Sequence, residues 1–182
     1  LAYGQIVGAA IAKGRIAAMD LSQARAAPGV ITIVTADTAP KLGKGERNNA
    51  RLLGGPEIEH YHQAVALVVA ETFEQARAAA ELVKIDYQRQ PGSFDLEAVK
   101  DSAKKPEKIV SGEPDSAVGD FDSAFASAAV QLDATYRTPD QSHAMMEPYA
   151  SMARWDDDRL TLWTSNQMIN WGVKELAATL QM

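Results

Sequence analysis

Apolar and polar positions alternate along two stretches of the chain in a way that predicts strands flanking short helices. Residues 16–35 (IAAMDLSQARAAPGVITIVT) and 65–87 (VALVVAETFEQARAAAELVKIDY) each fit the order strand, helix, strand, and each contains the letters QARAA. The segments Val30–Thr35 and 65–70 are rich in β-branched residues, which is typical of buried strands. Two such units in succession predict an α+β fold with one layered sheet and helices on a face. The shared letters favour two similar alanine-rich helices over a true duplication.

Local signals predict where these helices begin and end. Thr72 followed by Gln75 is the signature of a capping box and, with the alanine-rich spacing after it, predicts a helix over 73–83. In the first stretch, Asp20 or Ser22 can cap a short helix, and the Pro-Gly pair that follows would end it.

A charged segment rich in Pro, Gly and Ser separates this part from the rest of the chain. Residues 89–120 have this composition and predict a linker. A short helix is predicted over 122–128, and a final helix from about Met168. Between them we expect an antiparallel set of three strands, at 130–136, 149–155 and 160–163. A turn of three consecutive aspartates would join the last two strands.

The composition mainly excludes functions. A net charge of −6 argues against a general affinity for nucleic acid, and no apolar run approaches the roughly 18 residues of a membrane span. The absence of Cys excludes disulfides and thiolate ligands. Residues 41–55 read as an exposed polar loop without a complete phosphate-binding glycine motif. The chain opens without Met and closes on a helix without a stop signal, so we expect a piece of a longer polypeptide.

Histidines and acidic residues provide three candidate sites. His60 and His62 would share one face of a strand, the geometry of a metal pair, but only local glutamates could complete the site, and packing roles are favoured. His143 and Glu147 have a spacing that suits an acid–base pair on a helix. Prolines on both sides argue against a helix there, and a structural hydrogen bond is favoured. The three aspartates could bind a hard cation, although a hairpin turn is favoured. No metal site is therefore predicted.

A neutral polar cluster lies between apolar anchors in LWTSNQMINWG, residues 162–172. Gln167 offers two donors and one acceptor without charge, which suits a polar ligand oxygen in a dry site. Trp163 and Trp171 would supply the apolar wall that is typical of ligand pockets. Alternatively, the Thr, Ser or Asn of 164–166 caps the following helix, and both roles can hold together.

Several segments carry a family resemblance when they are taken in order. They are LAYGQIV, AKGRIAAMDLSQARAAPGVITIVTADTAP, HYHQAVALVVAETFEQARAAAELVKIDY, VGDFDSAF and ATYRTPDQSHAMMEPYASMARWDDDRLTLWTSNQ. Together they cover nearly the whole chain, and they resemble the molybdenum-binding large subunit of the xanthine dehydrogenase/aldehyde oxidase family. In detail, including Tyr61, His62 and Gln63, the sequence is most similar to bacterial periplasmic aldehyde oxidoreductases.

The resemblance implies a domain organisation and a reaction. It implies an α/β hammerhead domain over 1–88 with its first strand trimmed, a linker over 89–120, and the beginning of the first molybdopterin-binding domain over 121–182. The cofactor would be a molybdenum–molybdopterin in its cytosine dinucleotide form. The reaction would oxidise aldehydes to carboxylic acids with water-derived oxygen, and electrons would pass to 2Fe-2S and FAD centres on partner subunits. Alternatives are hydroxylation of purines or other N-heterocycles, or a subunit-interaction module without catalysis.

The resemblance also implies roles for three residues. Gln167 matches the family glutamine that donates a hydrogen bond to an oxygen ligand of molybdenum. His143 and Glu147 match an H-x-x-x-E pattern to which we assign a scaffold role near the cofactor domain. The general-base glutamate and a glycine-rich loop are expected beyond Met182, so no catalytic residue is predicted here and the chain alone is expected to be inactive. The resemblance favours the periplasm, and nothing else in the sequence identifies a compartment.

Overall fold

Short helices and antiparallel strands make up the fold, which confirms the predicted α+β class. The computed structural model describes residues 1–46, 53, 55–109 and 112–182. The strands are β1 (Tyr3–Gly8), β2 (Gly14–Asp20), β3 (Val30–Thr35), β4 (Glu57–Ile58), β5 (Ala64–Ala70), β6 (Lys84–Arg89), β7 (Ser151–Asp156) and β8 (Arg159–Thr164). The helices are α1 (Ser22–Ala26), α2 (Phe73–Glu81), α3 (Leu96–Val99), α4 (Phe121–Ser127) and α5 (Ile169–Leu180), and a 3-10 turn follows α3 at Lys100–Ser102. Within the described ranges, no helix is both long and apolar enough to cross a membrane.

The chain folds into two units, one of which is built from both ends of the sequence. Unit 1 comprises Leu1–Phe94 and Asn166–Met182, and unit 2 comprises Asp95–Ser165. The chain therefore leaves unit 1 after β6 and returns to it for α5. The predicted boundaries at residues 88 and 120 separate the domains of the family, whereas units 1 and 2 are defined by contacts within the structure. The predicted boundaries therefore stay a prediction.

The described residues of unit 1 form two antiparallel sheets of three strands, so the single layered sheet predicted from the sequence is wrong. The strand orders are β1-β5-β3 and β4-β2-β6. The strands on either side of α1, and likewise those on either side of α2, lie in different sheets. The reason is that the sheets pair their strands antiparallel, and such pairs do not need the helical crossover that joins neighbouring parallel strands. Each helix instead connects one sheet to the other.

Small residues allow the helices of unit 1 to pack closely. The letters QARAA place Ala24 on α1 and Ala76 on α2 at equivalent positions, and both side chains are completely buried. One apolar cluster joins the helices to β3 and β5, and its buried members are Ala24, Ile33, Ala66, Val68 and Ala79. A second cluster consists of Ala9, Ile11, Ile58 and Val65. The shared letters thus have a packing reason in each helix.

The capping box predicted for α2 is confirmed. The Thr72 hydroxyl accepts from the backbone N–H of Gln75 at 3.2 Å, and the Gln75 side-chain oxygen accepts from the Thr72 N–H at 3.1 Å. The Gln75 amide also lies against Gly29, which has a φ of +75° and where a Cβ atom would overlap that amide. The predicted cap of α1 differs from the structure, because the N-cap is Leu21, without a side-chain bond. Asp20 instead accepts from the N–H of Ser22 at 2.9 Å.

Unit 2 contains α3, α4 and the hairpin of β7 and β8. The predicted short helix is confirmed as α4, which Asp120 caps by accepting from the N–H of Ser123 at 3.1 Å. The hairpin is also confirmed, and its aspartate turn places Asp157 at a φ of 52°. The strand predicted over 130–136 is wrong, since those residues are irregular and exposed. An extended segment becomes a strand only through a hydrogen-bonded neighbour, and 130–136 pairs with none of the described residues.

Candidate functional site

The polar cluster before α5 forms a turn rather than a helix cap. The N-cap of α5 is Met168, which has no side-chain cap bond, so the prediction that Thr164, Ser165 or Asn166 is the cap is wrong. The Asn166 side chain instead bonds the residue just before the helix, since its oxygen accepts from the backbone N–H of Met168 at 2.7 Å. An asparagine side chain that bonds the N–H two residues ahead closes a tight turn. The helix starts only after that turn, at Ile169.

Gln167 is the central residue of this turn. Its side chain is exposed, and its amide makes no hydrogen bond within the part of the chain that the structure describes. Both N–H donors of the amide are therefore available to an acceptor outside the chain. The amide has no charge, so it can approach a ligand oxygen without placing a formal charge beside it. This fits the chemistry predicted for Gln167, although its role stays a prediction.

A glycine inside α5 lies directly beneath the turn. A Cβ atom at Gly172 would lie 2.7 Å from the side-chain nitrogen of Asn166, closer than real Cβ contacts. The N–H of Gly172 also donates to the carbonyl of Met168 at 2.9 Å. The sequence alone did not predict this contact between Asn166 and Gly172. An isolated glycine within a helical pattern was the available signal, because such a glycine often has a packing reason.

The C-terminal half of α5 packs against residues 41–46. Three hydrogen bonds join them, from Gly43 N to Thr179 O at 2.8 Å, from Gln181 Nε2 to Lys41 O at 2.7 Å, and from Glu46 N to Glu175 Oε1 at 3.2 Å. A Cβ at Gly43 would overlap the carbonyl oxygen of Ala178, and one at Gly45 would overlap the carboxylate of Glu175. Gly45 is buried, so this part of the predicted exposed loop is a packed segment. Residues 47–52 and 54 of that loop lie outside the described residues.

His143 and Glu147 lie in unit 2 in an irregular segment. Both side chains are exposed, and no hydrogen bond joins them in the described structure. Without a helix, the spacing of four residues does not bring the two side chains together. The structural hydrogen bond favoured from the sequence is therefore not formed. Their scaffold role near a cofactor stays a prediction.

The tryptophans that flank the turn belong to different units. Trp163 lies on β8 in unit 2 and is about half exposed (48%). Trp171 lies in the first turn of α5 and lines a small cavity with residues 44–46. The predicted apolar wall stays a prediction.

His60 and His62 do not share a strand face, so the geometry assumed for a metal pair is wrong. They lie in the turn between β4 and β5, where His62 has a φ of 62° and donates its N–H to the carbonyl of Ala9 at 3.0 Å. The first of the three aspartates forms an ion pair within β7, since the Asp156 carboxylate accepts from the Arg154 guanidinium at 2.7 Å. Among the residues that the structure describes, no three His, Asp or Glu side chains are grouped as metal ligands.

A buried glutamine holds the same turn together. Gln63 is 2% exposed, its side-chain oxygen accepts from Glu59 N at 2.9 Å, and its nitrogen donates to Glu57 O at 2.8 Å. Both ends of the amide are thus satisfied, as burial requires. The residue therefore fixes the path of the chain between β4 and β5.

An open groove lies elsewhere in unit 1. Its volume is about 680 Å³, and it runs along β2 and the end of β3. Charged residues of both signs line it, namely Asp20, Arg25 and Asp37. None of the predicted site residues lies in this groove. The start of α5 therefore remains the candidate site, on the strength of its uncommitted donor.

Two family models match the chain. The first is described as the a/b hammerhead domain of aldehyde oxidase and xanthine dehydrogenase and matches residues 1–91. The second is described as a molybdopterin cofactor-binding domain and matches residues 101–182, which include the turn before α5. The predicted hammerhead domain followed by the start of a molybdopterin-binding domain is thereby confirmed as a fold.

Relatives and solved structures agree with these matches. The aldehyde oxidoreductase molybdenum-binding subunit PaoC of Escherichia coli (strain K12) is 61% identical over 181 residues, which are 100% of this chain and 24% of that protein. A xanthine dehydrogenase molybdenum-binding subunit of Escherichia coli O157:H7 is 30% identical over 186 residues, 92% of this chain and 24% of that protein. The aldehyde oxidoreductase structure from Desulfovibrio gigas has a TM-score of 0.74 at 25% identity and covers 98% of this chain and 22% of that one.

The chain spans about a quarter of the length of these curated relatives. Along the chain the hammerhead match comes before the cofactor-domain match, and the structural likeness to the Desulfovibrio gigas enzyme covers both. Since the first family model alone matches half of the chain, the chain belongs to the aldehyde oxidase and xanthine dehydrogenase family.

Proposed function

We propose that the chain is the amino-terminal part of the molybdenum-binding subunit of an enzyme that oxidises aldehydes to carboxylic acids. The 61% identity with a molybdenum-binding subunit of an aldehyde oxidoreductase, along all of this chain, supports the substrate class. The domain boundaries of the proposal are 1–88 for the hammerhead domain, 89–120 for the linker and 121–182 for the start of the cofactor domain.

The cofactor of the proposal is molybdenum–molybdopterin in its cytosine dinucleotide form. When bound, it supplies the two-electron oxidation and the incorporation of oxygen from water. FAD and 2Fe-2S centres on partner subunits accept the electrons, and a glutamate beyond Met182 is the general base. Support for these finer points comes from the resemblance to bacterial enzymes of the family.

Gln167 is the residue of this chain to which we assign direct contact with the cofactor. One observation supports the role, namely its exposed, uncommitted amide in the turn at the start of α5. A neutral donor fits an oxygen of the cofactor, and a fixed donor at such an oxygen acts through electrostatics rather than proton transfer. His143 and Glu147 have a scaffold role around the cofactor domain in this proposal.

The assembled enzyme, purified with its partner subunits, tests the proposal. We expect about one molybdenum per subunit, cytosine nucleotide released on acid treatment, and turnover with an aldehyde. A full-length subunit that binds its partners but contains no molybdenum would overturn the enzyme assignment and favour a subunit-interaction module.

A second candidate is the hydroxylation of purines or other N-heterocycles. The 30% identity with a xanthine dehydrogenase subunit favours it, but this is half the identity found with the aldehyde oxidoreductase subunit. The ratio kcat/KM measured with benzaldehyde and with xanthine separates the two functions. Cell fractionation tests the periplasmic location, which is part of the proposal on the basis of the resemblance alone.

A further inference from the structure

Two residues, Asn166 and Gly172, determine the shape of the turn that carries Gln167. Asn166 closes it by accepting from Met168 N at 2.7 Å. The same asparagine amide lies over Gly172, so that its nitrogen would be only 2.7 Å from a Cβ atom there. The side-chain amide of Asn166 therefore has two contacts. Its oxygen closes the turn, and its nitrogen occupies the space that a side chain at residue 172 would need.

Conformational freedom does not explain the glycine. Gly172 lies within the helix Ile169–Leu180, and its φ is outside the left-handed region in which glycine is favoured. Glycine is also a poorer helix former than alanine. Apart from the chain neighbours and the backbone of the helix itself, Asn166 is the only described residue that would lie within 4 Å of the added Cβ atom. Space for the Asn166 amide is thus the reason that the structure offers for glycine at this position.

We propose that Asn166 and Gly172 are positioning residues that fix the Gln167 amide for its contact with the cofactor, an inference that rests on the proposed function of Gln167. Rotating the Asn166 amide away from a larger side chain at 172 would break its bond to Met168. The turn would then lose its closing hydrogen bond, and Gln167 would lose its fixed location. Neither positioning residue needs to contact the cofactor.

The assembled enzyme with the substitutions Gly172→Ala, Asn166→Ala and the double substitution tests this proposal. We expect each single variant to lower kcat by roughly ten- to a hundredfold, as for a misplacement on the order of 1 Å, with molybdenum content unchanged. The electron paramagnetic resonance spectrum of the molybdenum centre should shift in both. The double variant should be no worse than either single one, because both act on one amide.

Two further variants sharpen the test. Asn166→Asp keeps the acceptor oxygen for Met168 N and should retain most of the activity and the original spectrum. Val173→Ala, at a side chain on the same helix that is 63% exposed, is the matched control and should change neither.

The outcomes separate this inference from the proposed function. An unchanged spectrum and kcat in Gly172→Ala and Asn166→Ala, with a strong loss in Gln167→Ala, would overturn the positioning role alone. Unchanged turnover in Gln167→Ala would overturn the proposed function of Gln167. Full additivity in the double variant would also contradict the inference, since it would mean that the two residues act separately. If Gly172→Ala fails to fold, the comparison of Asn166→Ala with Asn166→Asp decides.

Discussion

The backbone N–H of Gly43 donates to the carbonyl oxygen of Thr179 at 2.8 Å, which ties the segment after β3 to the last helix. The glycine is required by space, because a Cβ there would overlap the carbonyl oxygen of Ala178. The contact is between two backbones, so neither side can yield by rotating a side chain.

We predict that Gly43→Ala destabilises the full-length subunit. The expected loss in free energy of unfolding is about 1–3 kcal/mol, as for other overpacked contacts. Urea denaturation monitored by circular dichroism measures it. Lys41→Ala is the control, since the Lys41 side chain is exposed and only its backbone carbonyl bonds α5. Equal stability of the two variants would contradict the close packing of α5 on residues 41–46.

We predict that Gln167→Ala lowers the turnover of the assembled enzyme by roughly ten- to a thousandfold, because one positioned donor is lost. The side chain is exposed, so thermal stability should change little. Turnover per bound molybdenum is the appropriate measurement. Gln23→Ala, at an exposed position on α1, makes the same chemical change elsewhere in unit 1 and should leave turnover intact. Wild-type turnover per molybdenum in Gln167→Ala would refute the role.

We predict that Gln63→Leu costs about 1–3 kcal/mol of stability. The substitution removes the acceptor of Glu59 N and the donor to Glu57 O, and the loss of a hydrogen bond at a buried polar group is destabilising. The urea midpoint of the full-length subunit reports the change. Gln23→Leu is the matched control at an exposed position. A loss no greater than that of the control would show that the buried amide does not hold the turn.

We predict a pH-dependent contribution from Asp120, the cap of α4. Hydrogen bonds from the Ser123 side chain and backbone lower the pKa of this carboxyl below 3.8. A group whose folded pKa is lowered stabilises the fold above its unfolded pKa, and the contribution is lost as the pH falls through the folded value. The difference in urea midpoint between the wild type and Asp120→Ala should therefore be constant near neutrality and shrink below 3.8. A difference that grows on acidification would contradict the cap.

The sequence correctly predicted the helices and turns that depend on residues close together along the chain. Thr72 and Gln75 predicted α2, because a capping box uses groups only three residues apart. The aspartate turn predicted the hairpin of β7 and β8 for a similar reason. The start of α5 was predicted to within one residue, at Met168 instead of Ile169. Its cap was assigned wrongly because Asn166 can bond more than one nearby N–H, and the local sequence does not select Met168 as the donor.

Long-range pairing explains the other differences. The apolar residues at 130–136 are typical of a strand. A strand also requires a neighbouring strand for its hydrogen bonds, and the sequence does not show which segment that would be. The two sheets of unit 1 have the same explanation, since β5 pairs with β1 and β3 rather than with the strand after its own helix. For the candidate site, Gln167 was found through the family resemblance. The Asn166–Gly172 contact depends on the three-dimensional turn and became visible only there.

The membership of α5 in unit 1 has a consequence for biosynthesis. A ribosome delivers residues 41–46 long before the helix that packs on them, and all of 95–165 emerges in the interval. Chains generally fold in the order in which their domains are made. Here unit 1 cannot be completed in that order, because its last helix is translated after unit 2. Residues 41–46 therefore cannot form their hydrogen bonds to α5 until that helix leaves the exit tunnel.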